Sequence, residues 1–247
     1  MENSQEYWEK QFSSFCEIQM KLAQANFFYN TFATLLSKEI INLFNSECKS
    51  CCDFGCGLGN FTDKLHNVFH NMQIYGVDYS LNAIKYATSH FKNTDFLNLD
   101  YRQMQSNFDI IVTSNTLEHF SDPKSVINRL LQHTNKYFVM LVPYEEYPLY
   151  KEHYFSFNRD FFCDEIENFE LIYLKSVDLR YKFNTMWFGK QILAIYKHKT
   201  ECANISKDVN LDENDNHGFI EKCNCKINLL RRDTYRFIRS KILNKEG

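Results

Sequence analysis

Three alternate glycines, Gly55, Gly57 and Gly59, lie in the string Cys51-Cys52-Asp53-Phe54-Gly55-Cys56-Gly57-Leu58-Gly59-Asn60, and an acid, Asp78, ends the next apolar run from Met72 to Val77. Glycines so placed let the main chain turn tightly and lie against a ligand where a Cβ would collide. A carboxylate at the end of the following strand stands where nucleotide-binding folds hold ribose hydroxyls. The pair reads as a nucleotide-cofactor loop. A plain turn followed by a solvated aspartate is the alternative, and a glycine triplet alone does not separate the two. Farther along, Glu118-His119 and the run Tyr150-Lys151-Glu152-His153 set imidazoles beside carboxylates. Imidazole titrates near neutrality and suits a general base that removes a proton from an attacking hydroxyl.

Local patterns supply the elements around the loop. Phe61, Leu65, Val68 and Phe69 recur at helical spacing, so the loop opens a helix whose N-terminal amides face back toward it. Ser80 is the N-cap of a second helix with Ile84, Ala87 and Phe91 on its buried stripe. The order is strand, glycine loop, helix, strand, acid, helix. At the front, Tyr7, Trp8 and Phe12 precede a longer helical pattern that includes Phe27, Phe28, Phe32, Leu35, Leu36 and Ile40.

A dinucleotide site spaces its glycines as G-x-G-x-x-G, whereas this string is D-F-G-C-G-L-G. In this the chain resembles the class I S-adenosylmethionine-dependent methyltransferases, whose first motif is an acid followed by G-x-G-x-G. The resemblance continues in order through Gly76-Val77-Asp78-Tyr79-Ser80, Asp100, the strand-like Phe108 to Val112, and Asn115-Thr116-Leu117-Glu118-His119-Phe120 with Asp122-Pro123. These last motifs are similar to the small-molecule branch that holds ubiquinone-biosynthesis and sugar O-methyltransferases. The matching region runs over roughly residues 48 to 145.

The resemblance implies a Rossmann-like α/β three-layer sandwich on a mostly parallel seven-stranded sheet with its last strand antiparallel. An N-terminal helical cap (1–46) would precede the core (47–199), and a linker with a basic C-terminal helix (200–247) would follow. Asp53 and the backbone of Gly55, Cys56, Gly57 and Gly59 would hold the methionine part of S-adenosylmethionine. Asp78, with Tyr79, would take the ribose, Asp100 or Tyr101 the adenine with Asp95 as a competitor, and Asn115 the sulfonium end. The fifth strand, Tyr137 to Val142, lacks the family's Pro-Gly-Gly turn and is preceded by His133-Thr134-Asn135-Lys136. Phe169 to Val177 and Lys190 to Tyr196 read as a closing strand pair, with residues 184–189 at the acceptor. Family N-terminal helices often cover the cleft, which would make Tyr7 and Trp8 a lid, although aromatic stripes at helical spacing are more often core.

Methyl transfer from a sulfonium is an in-line displacement, so positioning is the main contribution, and an alcohol nucleophile must also lose a proton. His153 is the preferred base, with Glu145, Glu146 and Glu152 available to orient it. Glu118 and His119 either share the chemistry or only order their loop. Tyr144, Tyr147, Tyr150, Tyr154, Tyr181 and Trp187 are expected to wall the acceptor with rings that suit sugars or phenols. A divalent metal on the glutamates and histidines lacks any short ligand spacing, so no metal is expected. Cysteines 48, 51, 52 and 56 cannot converge from one strand onto a tetrahedron and are expected as reduced core residues.

The chain of 247 residues, 44% hydrophobic with net charge −3, is long enough for one sizeable core and shows no basic footprint for nucleic acid. It has no signal pattern or long apolar span, which points to a reducing cytoplasm and no membrane partner. A small-molecule acceptor is the expected partner, and a homodimer is left open. Residues 201–217 carry five acids and one lysine, and residues 218–247 carry eight Lys/Arg against three acids. The expected activity is methylation of a hydroxyl on a sugar, nucleotide-linked sugar or quinone-type phenol. An N-methyltransferase, a non-catalytic cofactor-binding module and a NAD-dependent oxidoreductase remain the competing functions.

Overall fold

The computed structural model describes residues 4–200, 207–210, 224–229 and 231–232. Five parallel strands form its centre: β1 (Ser50–Phe54), β2 (Gln73–Asp78), β3 (Asp95–Asn98), β4 (Phe108–Ser114) and β5 (Thr134–Tyr144). The chain then adds β6 (Glu165–Ile166), β7 (Phe169–Asp178), β8 (Lys190–His198) and β9 (Asp208–Asn210). The sheet order is β3-β2-β1-β4-β5-β8-β7-β6, with β9 also paired to β7. Strand β8 runs antiparallel between β5 and β7. Seven principal strands with the last one antiparallel are therefore present as expected. The short β6 and β9 are additions, and β9 lies in the stretch expected to be linker. Most of residues 200–247, including most of the expected basic C-terminal helix, fall outside the described residues.

Side-chain alternation sorts the central strands into two packed faces. Cys52, Ile111, Phe138 and Met140 join one core beneath helix α6 (Pro123–Leu131), which contributes Val126, Ile127, Leu130 and Leu131. Cys51, Ile110, Val112, Tyr137 and Val139 join the other, under Phe32, Leu36, Ile40 and Phe44 from α2 (Phe15–Leu35) and α3 (Lys38–Glu47) and the segment between them. These helices and the sheet make the three layers. Each fully buried phenylalanine, such as Phe32, Phe44 or Phe138, contributes about 1.5–3 kcal/mol. Cys51 and Cys52 are buried free thiols, pushed up by burial and so neutral, and they fill strand β1 as small apolar groups.

Two local expectations are adjusted. The helix after the glycine loop, α4 (Asn60–Lys64), is short and passes into a 3-10 turn at Leu65–Asn67, yet Phe61, Leu65, Val68 and Phe69 are all buried. The fifth strand begins at Thr134, so Gln132 and His133 alone join it to α6. The His133 N–H and the Thr134 hydroxyl both donate to the Leu130 carbonyl, and this satisfies the helix end without a glycine turn. Ser80 caps α5 (Leu81–His90) by accepting from the Ala83 N–H, while Phe91 is the C-cap rather than part of the buried stripe. Strand β1 has β2 on one side and β4 on the other. At this reversal of strand order the carboxyl ends splay, which opens a crevice.

Candidate active site

Beyond β1 the backbone passes through Gly55 at φ 77° and Gly59 at φ 81°. A Cβ on Gly55 would stand 2.4 Å from Thr116, and one on Gly59 would stand 2.7 Å from Phe96, so both positions exclude a side chain. The loop is tied to β2 at three points. Gly55 and Cys56 N–H donate to the Val77 carbonyl at 2.8 and 3.1 Å, and Gly57 N–H donates to Asp78 Oδ2 at 2.9 Å. Asp78 Oδ1 accepts from Ser80 N–H at 2.8 Å. Burial pushes Asp78 up to about 6 against the pull of those N–H bonds. Asp53 lies buried under the loop, accepts from the Thr62 hydroxyl at 2.6 Å and is pushed by burial to about 7. Two carboxyls this deep favour a positively charged ligand, which would stabilise their ionised forms.

The crevice is a cavity of about 1410 Å³. Asp53, Gly55, Cys56, Gly57, Asp78, Tyr79, Asp100, Tyr101 and Asn115 line one half of it. Gly59 stands behind the loop as the N-cap of α4. Asp100 caps the turn Tyr101–Gln103 and pairs with Arg102 at 2.7 Å, and the Arg102 bonds hold its carboxyl below the usual range. Its competitor Asp95 is exposed and accepts from Gln73. Asn115 adopts φ 50°, a left-handed conformation that asparagine tolerates better than most residues. Its Oδ1 accepts from Gln191 Nε2 at 2.9 Å, a partner on β8 with no local signal in the sequence.

Helix α1 (Gln5–Gln11) lies across the opening. Gln5 Nε2 donates to the Tyr79 carbonyl at 2.8 Å. The Glu9 carboxylate accepts from Leu81 N–H at 2.6 Å, from Asn82 N–H at 2.9 Å and from the Ser80 hydroxyl at 3.0 Å. An anion at the first turn of α5 is favoured by its unpaired amides and its dipole. Trp8 and Phe12 line the cavity, and Tyr7 donates its hydroxyl to Glu152 Oε1 at 2.6 Å. Glu9 and Gln5 escaped sequence reasoning because their partners are some seventy residues away.

In the other half, two loops are clasped together. The Glu118 carbonyl accepts from Tyr154 N–H at 2.8 Å, and His119 Nδ1 donates to the Glu152 carbonyl at 2.8 Å. The rings of His119 and His153 stand 5.0 Å apart, and Trp8 approaches His119 edge-on at 4.9 Å while Trp187 stacks near His153 at 5.7 Å. His153 Nδ1 meets Glu146 Oε2 at 2.6 Å, with both side chains largely buried. Of the three glutamates considered as its orienter, Glu146 fills the role. Glu145 pairs instead with Lys190 at 2.8 Å, and Glu152 takes the Tyr7 hydroxyl.

Burial alone would pull His153 down, but the Glu146 bond and the nearby Glu118 and Glu146 charges leave it raised. Burial, helped by His153, pulls His119 down to about 3, so this ring is neutral. Glu118 is buried and pushed by burial to about 7, and its Oε2 has no hydrogen-bond partner among the described residues. Glu118, His119 and His153 all line the cavity. Of the aromatic wall, Tyr147, Tyr150 and Trp187 line it too, whereas Tyr144 is buried in the core and Tyr154 and Tyr181 stand outside the lining. Arg231 and Arg232 line the cavity as well, and Asn228, four residues or fewer before them, donates to the Arg180 and Lys182 carbonyls at 3.1 and 2.6 Å.

A methyltransferase-domain family model matches residues 45–166. Malonyl-[acyl-carrier protein] O-methyltransferase of Acetivibrio thermocellus is 26% identical over 127 residues, which cover 50% of this chain and 41% of that protein. The protein of the same name from Bacillus anthracis is 27% identical over 111 residues, covering 43% and 41%. The matches thus span about two fifths of the length of these relatives. Among solved structures, the plantazolicin methyltransferase in complex with a pentazolic desmethylPZN analogue and S-adenosylhomocysteine superposes with a TM-score of 0.56 at 13% identity, covering 77% of this chain and 94% of that one. The magnesium protoporphyrin IX methyltransferase of Synechocystis PCC 6803 with bound S-adenosylmethionine gives 0.51 at 13% identity, covering 80% and 93%. These structures share the fold. Among the described residues no helix is long and apolar enough to cross a membrane.

Proposed function

Because residues 45–166 belong to the class I S-adenosylmethionine-dependent methyltransferases, we propose that the chain moves the cofactor's methyl group onto an oxygen of a small-molecule acceptor. The observation that carries this reading is the two-part cleft. Its glycine-loop half is shaped by bare main chain and two buried carboxyls, and its other half gathers Glu118, His119 and His153 beyond Asn115.

In this reading Asp53 and the loop from Gly55 to Gly59 face the methionine moiety, whose positive charge draws the Asp53 carboxyl into its ionised form. Asp78, next to Tyr79, accepts from the ribose hydroxyls, and the strand end at Asp100 and Tyr101 borders the adenine. Asn115, fixed by Gln191, borders the sulfonium. The acceptor oxygen attacks the methyl carbon on the side away from sulfur. As the carbon–oxygen bond forms, the carbon–sulfur bond breaks and its electron pair leaves the sulfur neutral, so the products are a methylated acceptor and S-adenosylhomocysteine. A hydroxyl acceptor also gives up its proton, and the Glu118, His119 and His153 corner is the group that promotes this loss. Helix α1 closes the cleft against water, and holding the reactants in line can remove several kcal/mol of barrier, roughly 7–11 at the limit.

Sugars and nucleotide-linked sugars are the first acceptor class, suited to the ring faces of Tyr147, Tyr150 and Trp187 with the Arg231 and Arg232 cations lining the same cavity. A carboxyl-bearing acyl chain, the substrate type named for the Acetivibrio and Bacillus relatives, is the second. Calorimetry should show S-adenosylmethionine binding in preference to NAD. A mass-spectrometric screen of hydroxylated, carboxylated and amine acceptors should then show a gain of one methyl with stoichiometric S-adenosylhomocysteine. Selective NAD binding would overturn the reading, and turnover confined to amines would replace oxygen by nitrogen.

A further inference from the structure

We propose that Glu118, His119 and His153 bind a divalent transition-metal cation at the acceptor end of the cleft. This deepens the methyltransferase reading and rests on it only for what the ion would act upon. The sequence offered no short ligand spacing, but the clasp between the two loops brings the three residues together. One ligand atom from each lies within 4.8 Å of the other two. Ligands about 2.1 Å from a zinc-like ion in a tetrahedron stand roughly 3.4 Å apart, so modest side-chain rotations would close the set.

Two further observations point to a cation. Glu118 is 1% exposed, lines the cavity and leaves Oε2 without a hydrogen-bond partner among the described residues. A buried carboxylate oxygen left unmet is costly, and a cation is the ligand that answers it best. The second observation lies behind the two rings. His119 donates Nδ1–H to the Glu152 carbonyl, and His153 holds Nδ1 on the Glu146 carboxylate. Metal-ligating histidines as a rule anchor the other ring nitrogen on a carbonyl or carboxylate, which fixes the ring and raises its basicity. Both rings are anchored in this way, so Nε2 is the atom each would bring to the ion.

Two imidazoles and one carboxylate suit zinc, manganese, iron or cobalt(II) better than calcium or magnesium. Three protein ligands leave coordination positions open, the pattern of a catalytic site. An acceptor hydroxyl bound there would lose its proton to solvent more readily, next to the sulfonium position beside Asn115.

The test uses the full chain stripped with chelator. Manganese(II) titration followed by electron paramagnetic resonance, and zinc(II) titration by calorimetry, should each show one saturable site per chain. Bound manganese should carry nitrogen couplings from two imidazoles. Glu118→Gln and His153→Asn should weaken binding at least tenfold, and Glu146→Gln, which would reach the ion only through the His153 ring that it anchors, by about 10–100-fold. S-adenosylmethionine binding in the same variants reports that they fold. No saturable site in the wild-type chain, absent nitrogen couplings, or unchanged affinity in Glu118→Gln would overturn the inference. With cofactor binding and methyl transfer intact, that result leaves the methyltransferase reading standing without a metal. Metal binding without cofactor binding would have the opposite meaning.

Discussion

Gly57 donates its backbone N–H to Asp78 Oδ2 across 2.9 Å, so the strand-end acid that faces the cofactor cleft also holds the glycine loop in shape. The same carboxylate accepts from Ser80 N–H at the start of α5. Loop, strand and helix are pinned by one side chain, and its loss should be felt in both architecture and binding.

Asp78→Ala removes both bonds and the expected ribose acceptor. Hydrogen bonds to charged groups contribute about 1.5–3 kcal/mol each, so cofactor affinity should fall by well over tenfold in calorimetry. The Gly57 amide should also lose hydrogen-exchange protection in the absence of cofactor. Wild-type affinity in this variant would remove Asp78 from the site.

Asp53 and Asp78 keep their protons to about pH 7 and about pH 6 when folded, whereas unfolded aspartates release them near pH ~3.9. Across that window the folded chain binds more protons than the unfolded chain, so these two groups stabilise the fold less as pH rises from about 4 to 7. The cofactor-free protein should show a falling melting temperature over this range, and Asp53→Asn should flatten the slope. A cationic cofactor reverses the preference by favouring the ionised carboxyls. Its affinity should therefore increase from pH 5.5 to about 7.5 with proton release on binding, measurable by calorimetry in buffers of different ionisation enthalpy.

Local chemistry made the glycine loop, the Ser80 cap and the strand-end acid legible, because each depends on residues adjacent along the chain. Cys51 and Cys52 were readable as core for the same reason, since one strand cannot wrap four thiols around an ion. The short β6 and β9 carry too few residues to show a period. What sequence could not supply was the pairing between distant loops. Glu146 rather than Glu145 or Glu152 meets the His153 ring, in a loop whose Tyr154 amide is bonded to the distant Glu118 carbonyl. The Asn115–Gln191 bond and the Glu9 clasp on α5 are likewise tertiary facts, and Tyr144 reads as a site residue until its core position is seen.

His153→Ala should leave cofactor affinity within about threefold of wild type, because the ring stands in the acceptor half. Turnover with a hydroxyl acceptor should fall by about 10²–10⁴-fold, the range lost when a proton-handling group is removed. Glu146→Gln should give a smaller loss, since it frees the ring without deleting it. Equal kcat in wild type and His153→Ala on a hydroxyl acceptor would limit His153 to holding its loop.

Glu9 provides the last test, of whether α1 acts as the closing element of the cleft. Its carboxylate spans the first turn of α5, while Tyr7 on the same helix reaches Glu152 beside the two histidines. The helix is thus fastened at both halves, with Trp8 and Phe12 turned into the cavity. Seven residues of helix bury no side chain fully and have too little length to persist alone, so these tethers decide its position. Glu9→Ala breaks three bonds to α5, and Tyr7→Phe breaks the one to Glu152. Glu9→Ala should raise acrylamide quenching of Trp8 in a Trp187→Phe background and weaken cofactor binding about tenfold, mainly through faster dissociation. Tyr7→Phe should raise quenching less and chiefly affect acceptor KM. If quenching and dissociation in Glu9→Ala match the wild-type chain, α1 is not the element that retains the cofactor.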